Sequence, residues 1–151
     1  MEQSSTSKIH LPNKKLVGVK KSEETDSNKI VSVCHKLGID VHKGSLNNVL
    51  DRFYETAVPE KPDWVVRLTS DCPLIDPLEI DKVIQFAIDK DLDYASNTLT
   101  PTLPDGIDVE VFKFSALVKA KKEAKITSDL EHVTPYIWKN STYKGGNIFR
   151  S

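Results

Sequence analysis

Short apolar runs alternate along the chain with longer stretches in which apolar residues have helical spacing. The strongest run, residues 64–68, is nearly all apolar, which is typical of a strand covered on both faces. Strands are predicted at 16–19, 39–42, 64–68, 92–96 and 107–112, and helices at 28–37, 49–57, 77–88, 114–124 and 128–138. Residues 140–151 are rich in turn-forming residues, and no element is predicted there.

This alternation of strands and helices indicates β-α-β units, since parallel strands need a crossover connection between them. The predicted fold class is therefore α/β, a three-layer sandwich built on a mostly parallel sheet. Residues 1–15 are polar and serine-rich, and we interpret them as a disordered lead-in. Residues 16–151 are predicted to form one domain.

Composition excludes several classes of protein. Lys+Arg 21 against Asp+Glu 22 gives a net charge of −1, which argues against a nucleic-acid partner because such proteins normally carry a basic excess. No apolar run approaches the roughly 20 residues needed to cross a bilayer, so no membrane contact is expected. Cys34 and Cys72 fit no metal-ligand spacing, which favours a reducing, cytoplasmic location.

Two aspartates follow the strongest predicted strand, at the end where α/β proteins gather their ligands. Asp71 is well placed to hold Mg²⁺ through its hard oxygen ligands, or it simply caps a turn, and spacing leaves both interpretations open. Asp76 stands directly before Pro77, which favours a helix cap. Cys72 beside Asp71 is a poor nucleophile because a nearby carboxylate raises a thiol pKa, so packing is the better interpretation.

Two further groups of polar residues are candidates for chemistry. Asp108 and Glu110 alternate on one face of a predicted strand, where they could grip sugar hydroxyls, although spacing alone favours exposure to water. Glu131 and His132 suggest acid–base work, but neighbouring residues of a helix face different directions and do not form a dyad. The glycines form neither GxGxxG nor GxxxxGK[ST], so no glycine-rich phosphate loop is predicted.

Several motifs, in order, resemble the CMP-sugar cytidylyltransferases. They are GS at 44–45, VLDRFY at 49–54, RLTSDCPLIDP at 67–77, SNT at 96–98, PDGIDVEVF at 104–112 and EHVTPY at 131–136. The resemblance is to the spore coat polysaccharide branch, which is related to the acylneuraminate and Kdo cytidylyltransferases. It covers roughly residues 16–138 and implies a nucleotide-diphospho-sugar transferase-like, Rossmann-like fold.

The resemblance implies transfer of CMP from CTP to a sugar hydroxyl, with release of pyrophosphate and with Mg²⁺ as cofactor. It assigns the metal to Asp71, and the nucleotide to Asp51, Arg52 and Lys14. Residues matching the part of the family that faces the sugar acceptor are Asn97, Asp105, Gly106, Asp108, Glu110, Glu131 and His132.

The family pattern opens with a central strand and a phosphate loop of the form A-R-x-x-S-x-R-L-P-x-K. Here residues 16–19 resemble the family's second strand, and only residues 10–14, ending in Lys14, echo the end of that loop. This echo is either a remnant of the loop or chance. A later acidic segment that supplies the family's second metal ligand has no match before Ser151. We therefore expect a domain truncated at both ends that lacks the first central strand, between 16–19 and 64–68.

Three functional hypotheses follow. The first is an enzyme that uses CTP and a surface-polysaccharide or acidic sugar. The second is a non-catalytic module of the same fold that keeps the sugar-facing half and a homodimer contact. The third, a glycosyltransferase that uses a nucleotide-sugar, is disfavoured by the PDGIDVE segment at 104–110.

Overall fold

The computed structural model describes residues 16–20, 25–69, 72–102, 104 and 106–149. Its strands are β1 Leu16–Lys20, β2 Asp40–Gly44, β3 Trp64–Arg67, β4 Tyr94–Ser96, β5 Glu110–Lys113 and β6 Gly145–Asn147. Its helices are α1 Thr25–Lys36, α2 Val49–Ala57, α3 Pro77–Asp89, α4 Phe114–Glu123, α5 Thr127–His132 and α6 Pro135–Trp138. The predicted α/β class is confirmed, and none of the described helices is long and apolar enough to cross a membrane.

The described strands form two sheets. Strands β1 and β2 pair in parallel, and a four-stranded sheet has the order β3-β5-β4-β6. Among the described residues no strand joins β1 to β3, at the point where the sequence predicts a missing central strand.

The four-stranded sheet is mixed, and it is mostly parallel in strand direction, as predicted, because β3, β4 and β6 run the same way. Strand β5 is the exception, since it runs antiparallel to both of its neighbours, β3 and β4, while β4 and β6 pair in parallel. The reason lies in the connection from β4 to β5, because its described residues contain no helix that could carry a crossover. Strand β6 was not predicted, since Gly145 and Gly146 give it no apolar alternation.

Apolar clusters lie on both faces of the four-stranded sheet, which gives the predicted three layers. On one face, Tyr94 and Phe112 pack with buried residues of α2, α4 and α6. On the other face, Ala95 and Val111 pack against α3. Because alternate strand residues point to opposite faces, Glu110 and Ser96 lie on the same face as Phe112 and Tyr94.

Side-chain caps begin two of the helices. The Asp76 side chain caps α3 by accepting a hydrogen bond from the Leu78 amide at 2.9 Å, as the Asp-Pro pair predicts. Asn48 caps α2 in the same way, accepting from the Asp51 amide at 2.9 Å. These caps fix the first turns of the two helices that follow β2 and β3.

The predicted helix at 128–138 is wrong as a single element, because the chain divides there into α5 and α6. The break is at Val133, which has φ 71° and ψ −58°, and the Thr134 amide donates to the His132 carbonyl at 2.8 Å. These values describe a γ-turn, a conformation that is strained for a β-branched residue. The turn redirects the chain, so that Thr134 points toward the sheet.

Candidate functional site

A row of polar residues crosses the end of the four-stranded sheet. Arg67 is paired in register with Glu110, Glu110 with Ser96, and Ser96 with Asn147. Since β5 is antiparallel to β3 and β4, the row lies at the carboxyl ends of β3, β4 and β6. Ligands of open α/β sheets bind at this end. The row is therefore the centre of the candidate site.

The carboxylate of Glu110, in the middle of this row, accepts three hydrogen bonds. Its Oε1 accepts from the Tyr94 hydroxyl at 2.7 Å and from the Thr134 hydroxyl at 2.6 Å, and its Oε2 accepts from Arg67 Nη1. Glu110 is only 6% exposed, so the expectation that it faces water is wrong. A buried carboxylate needs partners of this kind because charge is costly to remove from water. Glu110 thus links β3, β4 and the γ-turn.

Burial raises the pKa of Tyr94 well above the ordinary tyrosine value, and the negative charge of Glu110 raises it further. The hydroxyl therefore remains protonated and serves as a donor to the carboxylate. Arg67, Tyr94 and Thr134 were not predicted as site residues. The sequence did contain one signal for this network. Arg67 is a single arginine in an otherwise apolar strand, and a partly buried arginine needs an acidic partner.

Thr69 and Cys72, which follow β3, contact each other. The Cys72 amide donates to the Thr69 carbonyl at 3.1 Å, and Thr69 Oγ1 lies 3.1 Å from Cys72 Sγ. Cys72 is buried, as its packing interpretation predicts. Asp71, the predicted metal ligand, lies outside the described residues.

Asn97 organises the connection between β4 and β5. Its Nδ2 donates to the Ile107 carbonyl at 2.7 Å, and its Oδ1 accepts from the Val109 amide at 2.9 Å. Asn97 is buried, so its direct role in this structure is to hold the far end of the connection against β4. Of the other predicted acceptor residues there, Gly106 has a positive φ of 93°, Asp108 is half-buried, and Asp105 lies outside the described residues.

Glu131 and His132 are both exposed at the end of α5, directly before the strained turn. Two residues after His132, the Thr134 hydroxyl donates to Glu110, so the chain segment that carries Glu131 and His132 is tied to the polar row. Contact of Glu131 or His132 with a sugar remains a prediction.

The predicted nucleotide residues of α2 make their described contacts away from the polar row. Asp51 forms an ion pair with Lys121 of α4, and Arg52 Nη1 donates to the Ser45 carbonyl at 2.7 Å. Burial lowers the pKa of Arg52 from its ordinary value, and its Nε has no hydrogen-bond partner among the described residues. A Cβ at Gly44 would lie 2.9 Å from Arg52 Cγ, so only glycine permits this close approach. Lys14 lies outside the described residues.

Metal binding by the described residues has no structural support. No group of three or more histidine, cysteine, aspartate or glutamate side chains that could hold an ion occurs in the part of the chain that the structure describes. The expectation of Mg²⁺ at Asp71 therefore stays a prediction.

Tyr94 and the half-buried Tyr143, whose hydroxyls are both buried, provide a matched test of the network. Tyr94→Phe is expected to lower the free energy of unfolding by about 1.5–3 kcal/mol, because it removes a hydrogen bond to a buried charge. Tyr143→Phe is expected to leave it within about 0.5 kcal/mol or raise it, because the buried Tyr143 hydroxyl has no partner among the described residues. Urea denaturation of both variants measures the difference, and equal losses would contradict this view of Glu110.

The free energy of unfolding at alkaline pH gives a second test of the buried Tyr143 hydroxyl, with Tyr143→Phe compared with wild type. Burial raises the pKa of Tyr143 to about 12 from 10.0, with smaller contributions from nearby negative charge. A tyrosine whose folded pKa is raised contributes stability that is fully present below its unfolded pKa and is lost as the pH rises through the folded value. Stability should therefore fall between pH 10 and about 12, and less steeply in Tyr143→Phe. An unchanged slope in that variant would contradict the assignment.

Comparison with known proteins identifies the family. The family model described as cytidylyltransferase matches residues 15–148. The chain belongs to the cytidylyltransferase family. It is 43% identical over 115 residues to the uncharacterised protein MJ1063 of Methanocaldococcus jannaschii, covering 76% of this chain and 46% of that protein. It is also 36% identical over 123 residues to the spore coat polysaccharide biosynthesis protein SpsF of Bacillus subtilis, covering 81% of this chain and 50% of SpsF.

The structure of a cytidylyltransferase from Leptospira borgpetersenii is also similar. It superposes with a TM-score of 0.80 at 29% identity, over 88% of this chain and 57% of that chain. The predicted nucleotidyltransferase-like fold and the predicted family are thereby confirmed. The chain spans about half the length of the curated relatives it matches.

Proposed function

We propose that this chain carries part of a CTP-using nucleotidyltransferase that transfers CMP to a sugar hydroxyl. In this reaction the acceptor oxygen bonds to the α-phosphorus of CTP, the bond from that phosphorus to the bridging oxygen breaks, and pyrophosphate leaves. The hydroxyl proton passes to a base or to water. The observation that carries the proposal is the cytidylyltransferase match over residues 15–148, which includes the whole polar row at the sheet end.

The nucleotide is proposed to lie between α2 and the carboxyl end of β3. Arg52 supports this because its guanidinium is held by the Ser45 carbonyl while Nε lacks a partner among the described residues. Asp51 and Lys14 are proposed nucleotide residues through the family resemblance. Mg²⁺ is proposed at Asp71, where it would shield phosphate charge when bound.

The acceptor is proposed to be a sugar of a surface polysaccharide. The supporting observation is the similarity to SpsF, whose name places that protein in spore coat polysaccharide biosynthesis. Asn97 holds the 97–109 connection at the sheet end, and the strained turn fixes the segment that carries Glu131 and His132. Thr134 bonds to Glu110 and Ser96 pairs with it, so both segments are tied to the same buried residue, which supports the proposal that they face one acceptor.

Pyrophosphate release tests the proposal. The chain is incubated with CTP, Mg²⁺ and a panel of acidic and neutral sugars, and both pyrophosphate and CMP-sugar are quantified, with UTP as the matched control. We expect product with CTP and none with UTP. Binding of CTP without pyrophosphate release would support the non-catalytic module instead. Consumption of a nucleotide-sugar without use of CTP would support the glycosyltransferase.

A further inference from the structure

We propose that Arg67 binds an oxyanion of the ligand and determines specificity for it, and that Glu110, Tyr94 and Thr134 are positioning residues for its guanidinium. The oxyanion is either a nucleotide phosphate or the acidic group of the acceptor. This proposal rests on the proposed function, since it assigns a ligand group to the same sheet end.

Arg67 has donors to spare in a position that solvent reaches. Its Nη1 bonds to Glu110, and no other described residue bonds to its side chain, which is 20% exposed. A guanidinium carries a planar set of N–H donors that suits carboxylate and phosphate oxygens, often two bonds at a time. Because Glu110 fixes the orientation of the guanidinium, its remaining N–H donors are already oriented for a ligand.

Stability alone does not account for the ion pair. Replacing a buried ion pair with apolar residues of similar size is often neutral or stabilising, because desolvation offsets the attraction between the charges. The residues beneath the pair, Val65 and Phe112, already form an apolar contact on the same face. A charged pair on this face is therefore better explained by a ligand than by packing.

Three hydrogen bonds fix the position of the Glu110 carboxylate. The Tyr94 and Thr134 hydroxyls both donate to Oε1, which leaves Oε2 for Arg67. Thr134 directly follows the strained, fully buried turn at Val133 and donates to Oε1 from there. Backbone strain of roughly 1–3 kcal/mol is retained when surrounding contacts impose it, and it concentrates at functional sites.

The location selects the class of ligand. Arg67 is the last residue of β3, at the carboxyl end of the strand. A cation at this end favours negatively charged ligand groups. Both substrates of the proposed reaction offer such a group.

Calorimetric titration of the full chain tests the assignment. The ligands are CTP, tripolyphosphate and N-acetylneuraminic acid, each with Mg²⁺ present. The main variant is the pair Arg67→Met with Glu110→Gln, which removes both charges and leaves no unpaired buried ion. Lys82→Met is the matched control, since Lys82 is exposed on α3 and pairs only with Glu79 among the described residues.

We expect the double variant to bind at least one of the oxyanion ligands roughly 10- to 100-fold more weakly, while Lys82→Met stays within about 2-fold of wild type. A loss for tripolyphosphate and CTP identifies the nucleotide phosphates as the source, and a loss for the sugar acid identifies the acceptor. Should the double variant fail to fold, Arg67→Lys keeps the charge and is expected to lose about 10-fold, because it lacks the planar fork.

The outcomes separate this proposal from the proposed function. Wild-type affinity for all the ligands in a folded double variant, or in Arg67→Lys, would overturn the role of Arg67 and leave the proposed function standing. Wild-type chain that binds tripolyphosphate through Arg67 but shows no preference for CTP would overturn the proposed function alone. No oxyanion binding by the wild-type chain would overturn both.

Discussion

Glu110→Ala is expected to lower the free energy of unfolding by about 3 kcal/mol, because it leaves the Arg67 charge without its partner beside an apolar layer. The Tyr94 and Thr134 hydroxyls lose their acceptor at the same time. For a chain of this size the melting temperature should fall by roughly 10 °C. Urea denaturation followed by far-UV circular dichroism measures the change.

Glu131→Ala is the matched control for this substitution. Glu131 has the same side chain but is exposed at the end of α5, so its loss should change stability by less than about 0.5 kcal/mol. Glu110→Gln should lie between the two, because the amide oxygen still accepts from the hydroxyls while the ionic partner of Arg67 is gone. Equal stability of the two alanine variants would contradict the buried network.

Asp71→Asn is expected to weaken Mg²⁺-dependent binding of CTP by at least about 100-fold. Substitutions in the shell around metal ligands already cost about 10- to 100-fold, and Asp71 is proposed as a ligand itself. Its carboxylate supplies charge and hard oxygen atoms, whereas an asparagine offers one neutral carbonyl oxygen. Calorimetry with CTP, with and without Mg²⁺, measures the loss.

Asp76→Asn is the control, since Asp76 lies in the same motif and caps α3. Asparagine caps a helix as well as aspartate does, so both stability and CTP binding should stay close to wild type. If Asp71→Asn binds CTP and Mg²⁺ as tightly as Asp76→Asn does, Asp71 is not the metal ligand.

Local signals in the sequence predicted much of the fold. The cap at Asp76, and the alternation of apolar runs with helical spacing, depend on neighbouring residues and were therefore visible in the sequence. Strand β6 depends instead on distant partners. Gly146 lies where a Cβ would approach Leu92 Cδ1 to 2.6 Å, so the backbone of β6 packs closely on the Leu92 and Phe86 side chains, a contact that no local pattern encodes.

The sequence motifs predicted which segments form the candidate site, but not how its residues contact one another. Asp108 and Glu110 share one strand face in the sequence, but the burial of Glu110 comes from Arg67, Tyr94 and Thr134, which are distant along the chain. The γ-turn at Val133 contradicts the helical pattern of its own segment, since a β-branched residue disfavours positive φ. Tertiary contacts with Glu110 outweigh that preference. The polar row is therefore a product of sheet register and could not be read from spacing.

A thermal-shift titration with CTP and Mg²⁺ tests the central claim, that this chain binds CTP, most directly. A ligand that binds the native state raises the melting temperature by mass action, and it does so whether or not chemistry follows. We predict a melting temperature that rises continuously with CTP concentration above its dissociation constant, with a smaller rise for UTP at the same concentrations. No rise with CTP at millimolar concentration, or an equal rise with UTP, would contradict the account.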